Sequence, residues 1–250
     1  MPATVCNLFA RLLAPLMSVF LCTACIGLET LQTELPKIKG ELNFLHDSPI
    51  NACAKKDTVY LDLQTEKVQD YTHVKKKYQF FIPLIFFNHS TVKVDVSLGK
   101  TSLKVPLDYF YGNAFQVEAK RNACFAVVPQ KSAGKNAYRL QVKIDSVTVN
   151  APYFRKKNYI YIFFGVLSLI SEEGRAANTH LYATISLFKG DELIAMRRMS
   201  SHKQLLYLQS NGINFDERRD DFMNNMTESF GLALKETMEA AVLLVNTELH

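Results

Sequence analysis

The period of the apolar positions changes several times along this chain, and each change marks an element. Val59, Leu61 and Leu63 alternate with polar neighbours over 58–64, a period of two that predicts a β-strand. Val92-Lys93-Val94-Asp95-Val96 repeats the alternation and is followed by a turn at Leu98-Gly99-Lys100. From Pro106 to Asn122 the period lengthens. Phe110, Ala114, Val117 and Arg121 fall at spacings of four, three and four, with Tyr111, Phe115 and Glu118 alongside, which predicts an amphipathic helix with Pro106 in its first turn, where a missing N–H costs nothing. Cys124 to Val128 reads as a short buried strand stopped by Pro129. The clearest strand is Tyr138 to Val149. Tyr138, Leu140, Val142 and Ile144 face one way, and Arg139, Gln141, Lys143 and Asp145 the other. Val147 and Val149 switch parity, so a bulge is expected near Ser146. Leu181–Phe188 and Glu192–Ser200 predict a hairpin around Lys189-Gly190-Asp191. A long helix from Phe215 to Asn246 ends the chain. Met223, Met226, Phe230, Ala233, Met238 and Ala241 form its apolar stripe, and Asp216, Glu217, Asp220 and Asp221 favour its N-terminal end. Strands backed by two helices, the C-terminal one long, give an α+β fold with a mixed β-sheet of about five to seven strands.

Two stretches break the alternation, and they share one layout. Lys75-Lys76-Lys77 leads into Tyr78 to Phe87, which is almost wholly apolar and includes Phe80 and Phe81. Pro83 forbids a central strand there. Arg155-Lys156-Lys157 leads into Tyr159 to Ile170, which includes Phe163 and Phe164 and is interrupted only by Gly165 and Ser168. Three readings fit. The stretches are strands buried on both faces with basic ends in solvent, or adjacent loops or strands dipping into a membrane interface, or a patch for a partner protein. Exposure of Phe80, Phe81, Phe163 and Phe164 separates the first from the others.

Near the N-terminus, Leu8 to Leu21 is apolar except at Arg11, Pro15 and Ser18. Its uninterrupted part is far short of the roughly 20 residues of a spanning helix and suits a signal-peptide core. Thr23-Ala24-Cys25 follows, small residues before a cysteine, as at the processing site of a bacterial lipoprotein; an ordinary cleaved signal and an uncleaved anchor are the alternatives. Position −3 from Cys25 is Cys22 rather than leucine, so the site departs from the usual pattern. The expected organisation is a signal peptide over 1–24, a tether over 25–56 and one α+β domain over 57–250, with Cys25 as the lipidation site. Ile26-Gly27-Leu28 carries no acidic signal, which favours the outer membrane, facing the periplasm.

Composition adds limits. The chain has 250 residues, 48% of them apolar, and a net charge of +5, without the clustered excess of a nucleic-acid binder. Of five cysteines, Cys6 and Cys22 fall in the signal and Cys25 takes the lipid. Cys53 and Cys124 remain, as a disulfide or as two buried thiols. No nucleophile elbow, zinc-protease helix, phosphate loop or dinucleotide fingerprint is present. The six histidines are scattered, and Glu172-Glu173-Gly174 reads as a polar turn. An enzyme, a metal site and a cofactor are therefore not expected.

Cys25 with its processing site, Val92 to Gly99 before a helix, Arg121 to Phe125 leading into a strand, the Tyr138–Val149 strand and the final hairpin and helix make a pattern. It resembles YajG-like envelope lipoproteins and the wider group similar to the TolB N-terminal domain. Auxiliary lipoproteins of ABC-type lipid transporters share the last part. The resemblance spans Thr58 to Val245. It implies a non-catalytic, lipid-anchored envelope protein that binds an envelope partner from the periplasmic side, or an auxiliary lipid-binding subunit of a lipid transporter.

Overall fold

Strand β5 (Tyr138–Ile162) is long enough to take different neighbours at its two ends, and this organises the molecule. In the computed structural model, residues 31–43, 57–83, 87–132, 134, 137–162, 165–206 and 214–249 are described. Cys25, Cys53, Phe163 and Phe164 lie outside them. The N-terminal half of β5 pairs in parallel with β1 (Asp57–Gln64), from Val59↔Tyr138 to Gln64↔Lys143. On its other side it pairs antiparallel with β7 (Ala177–Lys189). The C-terminal half pairs antiparallel with β3 (Phe87–Ser97) on one side and β6 (Gly165–Gly174) on the other. Strands β2 (His73–Pro83), β4 (Phe125–Val127) and β8 (Glu192–Leu205) extend the edges, completing a mixed sheet of eight strands.

Helices α1 (Leu107–Asn122) and α2 (Phe215–Leu249) cover one face of this sheet. The α+β architecture and the long final helix agree with the sequence reading; the strand count is higher. The extra strands come from the two irregular stretches, whose apolar runs hide a period of two. Strand β5 keeps its alternation to Ile144, shifts register between Ile144 and Ser146, and continues with the opposite parity. Leu140, Val142 and Ile144 face the helices before the shift, and Val149, Ala151 and Tyr153 after it, all buried. The stripe on α2 meets them: Met223, Met226, Phe230, Ala233, Met238 and Ala241 are buried in the same core.

Three expectations are revised. The lysines of 75–77, expected as a basic end leading into the apolar stretch, sit within strand β2 itself. Glu172-Glu173-Gly174 ends strand β6 rather than forming a turn. Part of the expected tether is packed, because Leu31, Leu35 and Leu42 belong to the core. Residues 31–43 run alongside α2 in the same direction. Glu34 meets Arg219, Gly40 lies against Thr227, and Asn43 against Gly231. The 3-10 turn Leu35–Lys37 also touches β2.

Candidate functional site

Strands β2, β3, the far half of β5 and β6 form a four-stranded tongue. Two hairpins make it, and both close at the same end, because Pro83 pairs with Asn88, Phe87 with Ile160 and Ile162 with Gly165. The two basic-aromatic stretches therefore lie side by side. Phe80, Thr91, Lys156 and Ser171 form one row across the tongue, and Ile82, His89, Asn158 and Leu169 another. These rows face away from the helices.

The apolar side chains of this tip are not in the core. Phe80 is 52% exposed, Ile82 39%, Leu167 48% and Leu169 51%, all on the outer face. On the helix-facing side Val166 is 58% exposed, and Phe81 is half-buried. Phe80 thus argues against strands buried on both faces. The reason is positional. Helix α2 begins at the level of Glu172, where Arg218 and Arg219 reach it, so rows nearer the hairpin ends project past the helix layer. His89 anchors the outer face through Asn158, 2.6 Å away, and stacks on Phe87.

Below the tip lies a basic band. Lys75, Lys76 and Lys77 stand exposed on β2, with Lys77 paired to Asp95 at 3.1 Å. Lys93 points over the rings of Tyr78 and Phe154. Lys156 reaches Glu173 at 3.4 Å. Burial, together with the neighbouring Arg155 charge, pushes the Lys157 ammonium below its usual range, with Glu172 partly offsetting it. Beyond this band the sequence is uncharged: Tyr78 to Val92 and Asn158 to Ser171 contain no Asp, Glu, Lys or Arg. Arg155 departs from the expected role of a contact residue, because it turns inward and pairs with buried Glu172 at 3.3 Å.

Glu172 is the hub that fixes the base of the tongue. Arg219 donates from Nε and Nη2 to its two carboxylate oxygens at 2.8 and 2.9 Å, and the Tyr153 hydroxyl donates at 2.6 Å. Burial alone would raise the Glu172 carboxyl, but these donors and the Arg219 and Arg155 charges outweigh it and hold it below the usual range. Arg219 also bonds Glu34, tying residues 31–43 to the same point. This network escaped the sequence reading, since Glu34, Glu172 and Arg219 are far apart in the chain.

Elsewhere the chemistry is sparse. Cys124 is disulfide-bonded, to a partner outside the described residues. Its backbone N–H donates to Asn246, whose amide donates to the Asn122 carbonyl, so the far end of α2 clamps the end of α1. Among the described residues no group of acidic, histidine or cysteine side chains could hold a metal, and no helix is long and apolar enough to cross a membrane. A hollow of about 730 Å³ opens on the outer face between Tyr78, Lys93, Phe154, Glu173 and Arg175. Its lining mixes the charged Lys93, Glu173 and Arg175 with the apolar Pro152, Phe154, Ala176 and Leu206.

Neither a family model nor a curated protein matches this chain. Among solved structures, it is similar to the crystal structure of a Xanthomonas campestris protein described as DUF330. Identity is 10% and the TM-score 0.34, with 85% of this chain and 95% of that chain covered.

Proposed function

We propose that this chain is a non-catalytic, lipid-anchored cell-envelope protein that docks on another envelope component through the tip of its tongue. The anchor is Cys25, and the domain faces the periplasm from the outer membrane. The observation that carries the reading is the tip: exposed apolar side chains on paired hairpins, uncharged beyond a basic band and held rigid at the base by Glu172. Large apolar side chains grouped in this way mark a contact surface. The resemblance to YajG-like and TolB-like lipoproteins supports the same reading, on sequence pattern alone. The alternative, an auxiliary subunit that carries lipid, would use the hollow beside Lys93 and Arg175, whose lining mixes charged and apolar side chains.

Two measurements test this. Metabolic labelling with palmitate should mark the intact chain and fail to mark Cys25→Ala. A photoreactive side chain placed at Phe80 should cross-link in cells to an envelope component, lipid or protein, while one at Tyr182 on β7 should not. Equal cross-linking from both positions, or from neither, would remove the tip from the proposal.

A further inference from the structure

We infer that the component met by the tip is an anionic lipid leaflet, entered only to the depth of the headgroup–acyl boundary. The inference rests on the tip being the contact surface, and it commits that surface to lipid rather than protein.

Three observations point to lipid. The first is where the chain enters. Going back towards the N-terminus, residues 43 to 31 climb along α2 from Gly231 to Arg219, at the foot of the tongue. The 3-10 turn at Leu35–Lys37 lies against β2, which forms the edge of the tongue. The described chain therefore begins, at Leu31, near the foot of the tongue, six residues after Cys25. At about 3.3–3.6 Å per extended residue the intervening chain can reach a membrane that the tip touches. An acyl group on Cys25 and the tip would thus engage the same surface, in the two-signal arrangement that stable anchoring needs.

The second observation is charge order. Cations at Lys75, Lys76, Lys77 and Lys93 stand behind an uncharged zone, the sequence of headgroup and then acyl region. A basic residue near an anionic surface contributes to binding, and a band of them selects for negative headgroups. The third is that exposed apolar groups occur on both faces of the tongue, Phe80 and Leu169 on one and Val166 on the other. A lipid surface surrounds a projecting element, whereas a protein partner meets one side.

Depth is limited by the backbone. Strands β2 and β6 are the edges of the tongue, and their outward N–H and C=O groups have no strand partner among the described residues. Open sheet edges do not enter hydrocarbon, because unpaired backbone groups there cost several kcal/mol each. Asn158, Ser168 and His89 within the tip point to the same shallow setting. Tyr78 and Tyr159 near the band suit the interface, where tyrosine is enriched.

The chain contains no tryptophan, so a single one is a clean reporter of depth. The lipidated full-length chain would carry Phe80→Trp, Leu169→Trp or, as control, Tyr182→Trp. Each would be reconstituted on vesicles of phosphatidylcholine with phosphatidylglycerol. At Phe80 and Leu169 we expect blue-shifted emission, protection from iodide, and stronger quenching by nitroxide near the headgroup than by nitroxide at the chain end. The control should show none of these. In vesicles of phosphatidylcholine alone the tip signals should weaken, and joint replacement of Lys75, Lys76 and Lys77 by Gln should abolish the difference between the two vesicles. Iodide quenching at both tip positions equal to that at Tyr182, with the protein still vesicle-bound, would overturn the inference. If cross-links from Phe80 in cells then fell on protein, docking through the tip would stand and only its lipid occupant would fail. If they fell on nothing, both would fail.

Discussion

Glu172 accepts from Arg219 twice and from Tyr153, and sits beside Arg155, in a place no water-exposed carboxylate could share. Its carboxyl titrates below the usual range when folded, so the unfolded chain binds its proton more readily. The stability this supplies is complete above the ordinary glutamate range and is lost as pH falls towards the depressed folded value. Chemical denaturation followed over acidic pH should show that loss. Glu172→Gln should flatten it and cost about 3–5 kcal/mol at neutral pH, the usual penalty for stranding the partners of a buried ion pair. An unchanged acid limb in the variant would show that other carboxylates set the pH dependence. Cys124 makes a second residue-scale prediction. Asp57 pairs with Phe125, the residue after Cys124, and Cys53 precedes Asp57 by only one short segment. Cys53 is therefore the expected partner, and a non-reducing peptide map should join the two. Cys124→Ser should then cost about 2–4 kcal/mol. Cys124 joined to a different cysteine would refute the pairing.

At the level of elements, sequence periodicity worked where one face of an element is buried and the other wet. Strand β3 is the clear case, alternating buried and half-buried along its whole length. Helix α1 was legible as a helix, but its face was not: Leu107, Tyr111, Phe115 and Glu118 are buried with Ala114, whereas Val117 of the expected stripe is exposed. Gly190 takes the left-handed conformation, φ +61°, that its turn requires. Periodicity failed where both faces of a strand are apolar. The far half of β5 and all of β6 lie in the tongue, where exposed and inward positions alike carry Ile, Leu, Val and Tyr, so no alternation marks them. It failed again at residues 31–43, which have no regular period because they fill a seam along α2 with single side chains. Leu31 and Leu35 are fully buried there. That gives a direct test of packing against free tethering. Leu35→Ala should destabilise the domain by about 2–5 kcal/mol, as for other large-to-small core changes. Urea titration reads this, and a midpoint unmoved by the substitution would mean that the segment is a tether after all.

Taken as a whole, the molecule has two ends that are built differently. One holds Cys124, the ends of both helices and the short strand β4. The other holds the tongue, the Glu172 hub and the incoming chain. Burial drives folding only for the surface that leaves water, so apolar groups at the tip add little to stability. Phe80 and Leu169 are each about half exposed, and neither belongs to the core cluster. Phe80→Ser and Leu169→Ser together should leave the unfolding free energy within about 1 kcal/mol of the parent, the scale of two surface substitutions. The same pair should reduce self-association of the detergent-free domain, because an exposed apolar patch is also what drives aggregation. Equilibrium unfolding and light scattering on the same samples separate the two effects. A large loss of stability would mean that the tip is a structural part of the core. Unchanged stability with better solubility is the signature of apolar side chains that the fold keeps outside its core.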